Sequence, residues 1–248
     1  MKIVVCVSHV PDTATKVKIG ADEKFIDPAG VVYIINPYDE FAVEEALKTK
    51  EKFGGEVITI SVGGDNNKET IRKALAMGTD KGVLLKTDKP LDSFGIAKAL
   101  SDEIKNYQPD IVFMGKQSVD YDDAIVGQLT SEMLGFSCIS NVVDLKIDGQ
   151  KITAEREIEG GKEVVESELP IIITAQKGLN EPRYASLKGI MAAKKKEIEE
   201  KKTGEYSNLI EVISMKKPQA KQPGRIVGTD VSAVPELVKL LHEEAKIF

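Results

Sequence analysis

The chain has no tryptophan, two cysteines, two histidines and 5% aromatic residues in 248 positions. Each scarcity removes a class of chemistry. Cys6 and Cys138 lie far apart without a CxxC partner, so neither a disulfide framework nor a zinc site is expected. Cys6 falls in a buried strand, where a cysteine packs and does not attack. His9 and His242 build no Ser-His-Asp or Cys-His unit with the residues around them. No catalytic residue and no metal ligand is therefore assigned. No apolar run approaches membrane-spanning length, and the opening MKIVVCVS reads as a strand, not a cleavable leader. A reducing cytoplasm is the expected compartment, without membrane insertion. The net charge of −6 argues against a general nucleic-acid binder.

What is present is an ordinary globular composition, 42% apolar and 30% charged. Consecutive apolar residues over Lys2 to Ser8 predict a parallel strand buried on both faces. Val17–Gly20 and Val31–Ile35 read as strands of a hairpin-like insertion. Helices are expected over 38–53, 67–77, 93–104 and 124–134, alternating with strands over 56–61, 81–85 and 111–114. That rhythm predicts an α/β fold, a doubly wound, mostly parallel, Rossmann-like sheet. After about Ser140 the pattern changes. Strands over 142–147, 151–158 and 162–168, joined by Asp148-Gly149 and Gly160-Gly161, form an antiparallel meander that returns through Ile171–Ala175.

Two units are expected, residues 1–196 as the α/β body and residues 197–248 as an extended C-terminal arm. The arm is rich in Lys, Glu, Gln and Pro and ends in a helix over 233–247. Its leucines at 237, 240 and 241 form a face that must pack on something.

Open parallel sheets bind ligands beyond the carboxyl ends of their strands. Three loops occupy such positions: Ser8 to Asp12, Ser61 to Gly64, and Gly115 to Val126. The third is the richest, with a glycine, free amides, a helix start and Lys116 to offset a phosphate. Its Asp120, Asp122 and Asp123 read either as amide caps or as acceptors for ribose hydroxyls. From the residues alone, nucleotide binding and plain structural capping both stay open.

A further stretch, Gly178 to Lys196, GLNEPRYASLKGIMAAKKK, leaves a buried strand through turn formers. It presents Leu187 and then enters a lysine-rich helix. A loop of this length reads as a partner contact; the plain alternative is one exposed leucine beside a solvated helix face. LNEPRYASL with its basic helix resembles the recognition loop of the beta (small) subunit of electron transfer flavoproteins. AVEEALKTKEK, ETIRKALAMGTDKG, AEREIEGG and GKQSVDYDD resemble further stretches of that subunit, covering Lys2 to about Lys196.

The resemblance implies a heterodimer with an alpha subunit that holds most of an FAD, and a structural AMP in this chain. It places the AMP among Cys6, Asn36, Pro37, Tyr38, Asp39, Val62, Gly115, Lys116, Gln117, Ser118, Val119, Asp120, Tyr121, Asp122, Asp123, Ala124, Ile125 and Val126. It implies that Leu187, with Tyr184, Lys194, Lys195 and Lys196, docks acyl-CoA dehydrogenases of fatty acid oxidation. Electrons then pass through the FAD toward a quinone oxidoreductase. The subunit is an electron carrier and breaks no bond itself.

Bifurcating relatives hold a second FAD in the same pocket, typically with Gln-Val-Gly-Pro at the helix start; here Ile125-Val126-Gly127-Gln128 stands there, which favours AMP. Thr13 replaces a tyrosine that some relatives place by the flavin. A stand-alone adenine-nucleotide sensor is the alternative from another class. Its glycines at G-x2-G-x9-G spacing are missing.

Overall fold

The computed structural model describes residues 1–221 and 223–248, so Gln222 of the predicted arm lies outside the described residues. The first half runs β1 (Lys2–Cys6), β2 (His9–Pro11), β3 (Tyr33–Ile35), α1 (Pro37–Phe53), β4 (Glu56–Gly63), α2 (Asn67–Met77), β5 (Lys81–Lys86), α3 (Ser93–Tyr107), β6 (Ile111–Gly115) and α4 (Val126–Leu134). The second half adds β7 (Ser137–Asp148), β8 (Lys151–Ile158), β9 (Gly161–Glu168), β10 (Ile171–Ala175), α5 (Leu187–Lys195), β11 (Ile198–Lys202) and α6 (Val234–Glu243).

One nine-stranded sheet orders them β11-β5-β4-β1-β6-β10-β7-β8-β9. Neighbours from β11 to β7 are parallel, and β7, β8 and β9 form the antiparallel meander. The predicted doubly wound sheet is therefore present. Side chains alternate across each strand, so Ile3 and Val5 face a core with α1 and α2, while Val4 and Cys6 face one with α3. Phe113 is the largest side chain buried completely.

Chain order reverses at β1. From it the chain moves to β4 on one side and reaches β6 on the other, the topological switch point at which such sheets open a crevice.

Several details differ from the sequence-based expectation. Val31–Ile35 pairs not with Val17–Gly20 but with β2, directly after β1. The reason is a tight turn: Gly20 donates to the Phe25 carbonyl, and Asp22 accepts from the Lys24 and Phe25 amides. That turn folds Val17–Gly20 back on its own neighbours, leaving one bridge, Ile19 to Ile26. Helix α4 starts at Val126, not Ala124, because Asp122 sits at φ 56° and the amides of Ala124 and Ile125 close short turns onto Asp122 and Asp123.

Strand β7 begins earlier, at Ser137. It runs parallel to β10 before Asn141, at φ 59°, turns it toward β8. Finally, Ile198–Lys202 is not free arm but the edge strand of the main sheet, because Ile198 is buried against the core.

Among the described residues from Thr203 to Asp230 there is no helix or strand. Helix α6 ends four residues short of the predicted 247, and none of its residues is buried within this chain.

Candidate nucleotide site and docking loop

A cavity of about 860 Å³ opens beyond the carboxyl ends of β1, β4 and β6. All three loops singled out from the sequence reach it, through Ser8 and His9, through Val62, Gly63 and Gly64, and through Gly115 to Ser118. Its floor is apolar, built by Cys6, Ile60, Val62, Ile96, Leu100 and Met114. Burial drives the Cys6 thiol far above its ordinary range, so it remains protonated and serves as wall.

Asp39 ties the loops together. Its carboxylate accepts from the Ser8 amide at 2.6 Å, the Gly115 amide at 3.1 Å and Asn36 Nδ2 at 2.9 Å. Burial pushes the carboxyl up to about 7, against the three donors that hold it down. Asn36 completes the knot by donating to the Gln117 carbonyl at 2.8 Å and accepting from the Val119 amide at 3.2 Å. Gly115 is required at its position, since a Cβ there would sit 2.3 Å from Asp39 Oδ1.

The carboxylates of the third loop are occupied locally. Asp120 accepts from the Tyr121 amide, Asp122 from Gln117 Nε2 at 2.7 Å and Asp123 from Ser93 Oγ at 2.8 Å. Only Asp120 takes a backbone amide, so none of the three carboxylates caps the start of α4. Lys116 extends its ammonium over the Tyr38 ring, 5.0 Å from the centroid. Helix α4 points its start at the cavity through Val126 and Gly127, and among the described residues no side chain caps it. Its first turn also holds a buried acceptor without a partner, Gln128 Oε1.

Of the predicted site residues, Cys6, Asp39, Val62, Gly115, Lys116, Gln117, Ser118, Asp120, Tyr121, Asp123 and Val126 line the cavity. Asn36, Pro37, Tyr38, Val119, Asp122, Ala124 and Ile125 do not line it. Three wall segments carried no sequence assignment: Thr87 to Ser93 after β5, Lys24 with Phe25, and Asn208 to Val212. The first had a readable signal, another loop at the carboxyl end of a parallel strand.

Across the molecule, the Gly178–Lys196 loop is clamped at its base and open at its tip. Asn180 donates to the Phe41 carbonyl and to Glu45, and Arg183 pairs with Glu44 and Glu51. Tyr184 is 99% exposed and Leu187 84% exposed. Leu187 opens α5, which Ser186 caps by accepting from the Gly189 amide at 3.0 Å. Arg72 closes the other end by donating to the carbonyls of Ala193 and Lys196. Lys194 and Lys195 face solvent, whereas Lys196 donates inward to the Thr79 carbonyl.

Residues 25–205 match the model of the electron transfer flavoprotein domain. Over its whole length the chain is 39% identical to the electron transfer flavoprotein subunit beta of Bradyrhizobium diazoefficiens, with all of that relative covered. The corresponding human subunit is 37% identical, with 99% of it covered, and that of Bacillus subtilis 36%, with 100% covered.

The chain belongs to the electron transfer flavoprotein beta-subunit family.

A beta subunit of this family implies an alpha-subunit partner and a flavin in the complex, and its role is that of an electron carrier. Among the described residues no group of His, Cys, Asp and Glu is placed to hold a metal ion. No described helix is long and apolar enough to cross a membrane.

Proposed function

We propose that this beta subunit binds AMP in the cavity at the switch point and supports an FAD held mainly by the alpha subunit. Its Leu187 loop docks acyl-CoA dehydrogenases, and electrons pass onward to a quinone oxidoreductase. The observation that carries the nucleotide reading is the convergence of the loops after β1, β4 and β6 on one cavity.

The residues present suit an adenine nucleotide. The cavity falls within the roughly 300–1,000 Å³ of small-molecule sites. A purine fits the apolar floor of Ile60, Val62, Leu100 and Met114, and a phosphate fits the uncapped start of α4. When bound, FAD supplies the redox chemistry of the complex; AMP bound to the native state alone would act by stabilising it.

Exposure and rigidity together support the docking reading. A leucine this exposed gains about 1.5–3 kcal/mol when buried in a partner, roughly ten- to a hundred-fold in affinity. That magnitude suits a transient electron-transfer contact. Lys194 and Lys195 beside it would speed encounter with an acidic patch. Beyond the edge strand, residues 203–248 form the arm toward the alpha subunit, with the uncovered apolar face of α6 resting on that subunit.

The test is to denature the heterodimer and count the nucleotides released. One FAD and one AMP are expected. Two FAD and no AMP would make the cavity a bifurcating flavin site. In parallel, Leu187→Ala should slow reduction by an acyl-CoA dehydrogenase about tenfold or more at unchanged nucleotide content. Unchanged reduction would remove the docking role.

A further inference from the structure

The last wall of the cavity comes from the far end of the chain. Asn208 to Val212 cross its mouth as irregular backbone, with Tyr206 anchoring them upstream through a 2.9 Å hydrogen bond to Asp102. One bank of the crossing is Asp92. Its Oδ1 accepts from the Gly95 amide at 2.8 Å and so caps α3, while its Oδ2 accepts from the Leu209 amide at 2.6 Å and the Ile210 amide at 3.0 Å. The Asp92 amide in turn donates to Asn208 Oδ1 at 3.0 Å, and Asn208 Nδ2 donates to the Pro90 carbonyl at 3.1 Å. The opposite bank is the Gly20–Phe25 turn, where Lys24 pairs with Glu211 at 2.7 Å and the Met215 amide donates to the Glu23 carbonyl at 2.6 Å.

Apolar burial does not hold this segment down. Leu209 and Ile210 are 68% and 66% exposed, so their contribution to closure is small. The Lys24–Glu211 pair is solvent-exposed and weak by the usual measure of such pairs. What remains is Asp92, a carboxylate that receives two amides of the crossing segment through charge-assisted bonds. The same side chain fixes the start of α3, which builds the cavity floor with Ile96 and Leu100.

We infer that Asp92 is a positioning residue that latches residues 208–212 as a strap over the nucleotide cavity, and that this latch sets how fast a bound adenine nucleotide leaves. The inference rests on the AMP reading above and adds a determinant of retention to it. The strap carries no phosphate motif of its own; it acts by closing the exit.

The experiment uses the full heterodimer loaded with radiolabelled AMP and chased with excess unlabelled AMP. Asp92→Asn keeps the Oδ1 cap of α3 but turns an amide group toward the Leu209 and Ile210 donors, so it unlatches the strap while keeping the helix start. Asn208→Ala removes the second tie, to the Asp92 amide and the Pro90 carbonyl, and leaves the Asp92 carboxylate in place. Both variants should release label about tenfold faster than the parent, equal to about 1.4 kcal/mol. Hydrogen exchange of the unmodified heterodimer gives a second readout that needs no variant: AMP should slow exchange of the Leu209 and Ile210 amides.

Parent-like release from the variants, with one AMP counted per heterodimer, would overturn the strap and leave the nucleotide reading intact. Equal exchange of those two amides with and without bound AMP would overturn it as well. A heterodimer that releases no AMP on denaturation would overturn the nucleotide reading and the strap together.

Discussion

Arg183 grips Glu44 through two parallel hydrogen bonds, Nε to Oε2 at 2.8 Å and Nη2 to Oε1 at 2.9 Å. The same guanidinium reaches Glu51 at 2.5 Å, so one side chain staples the Gly178–Lys196 loop to two turns of α1. Glu44 is buried, and removing its partner leaves a carboxylate in a site where water cannot replace the fork. Arg183→Ala should cost about 1–3 kcal/mol of stability, read from urea unfolding. Reduction by an acyl-CoA dehydrogenase should slow as well, since Leu187 then rides on a slack loop. Arg183→Lys should rescue little, because an ammonium cannot reproduce the planar fork. Full rescue by lysine would mean that charge alone matters there.

Gly189 makes a second claim on the same loop. A Cβ at that position would lie 2.3 Å from the Ala76 carbonyl oxygen, so α5 can rest on α2 only with glycine at the crossing. Gly189→Ala should lift α5, at a cost of about 1–3 kcal/mol, and should weaken dehydrogenase docking although Leu187 is unchanged. Nucleotide content should hold, since the cavity lies beyond different strand ends. A variant with lowered stability and parent-like docking would show that the pose of α5 is irrelevant to recognition.

These contacts mark the boundary of what the residues alone disclosed. Buried strands such as Ile3–Val5 and Ile171–Ala175 were legible because their apolar runs have no reading except a covered sheet. The loops after β1, β4 and β6 were legible because a parallel sheet has only one productive end. Long-range pairings were not: nothing in the composition of Ile198–Lys202 announces an edge strand, since its exposed positions are charged and only Ile198 is buried. The same limit hid Asn208 to Val212, whose Leu209 amide is received on the cavity by a carboxylate 117 residues earlier. Lys196 shows the converse, a lysine grouped with its neighbours by sequence and separated from them by the Thr79 carbonyl just past α2.

Asp39 is the joint of the candidate nucleotide site. Asp39→Ala would strand the Ser8 and Gly115 amides and leave Asn36 Nδ2 with the Gln117 carbonyl alone, at a cost of about 1–3 kcal/mol for each amide left unpaired. The loops after β1 and β6 should then separate, and the heterodimer should lose most of its bound AMP while the FAD count per heterodimer falls much less. Full AMP content in a folded variant would show that the knot serves stability and not the ligand.

His9 supplies one pH-dependent contribution, which its own variant isolates. Its ring stacks on Tyr33 with centroids 4.8 Å apart, and Nδ1 lies 2.8 Å from Thr70 Oγ1. Burial pushes the imidazole below its ordinary value of 6.5, against the pull of Glu69 and with the help of Lys73. The unfolded chain therefore takes up this proton at a higher pH than the folded one. Where the unfolded state binds more protons, stability rises with pH, so this contribution is complete above 6.5 and is lost as pH falls below it. Urea midpoints measured at about pH 7.5 and about pH 5.5 should drop further for the parent than for His9→Gln, since only the parent carries the titrating ring. Parallel profiles for the two proteins would mean that His9 gains its proton as easily in the fold as out of it.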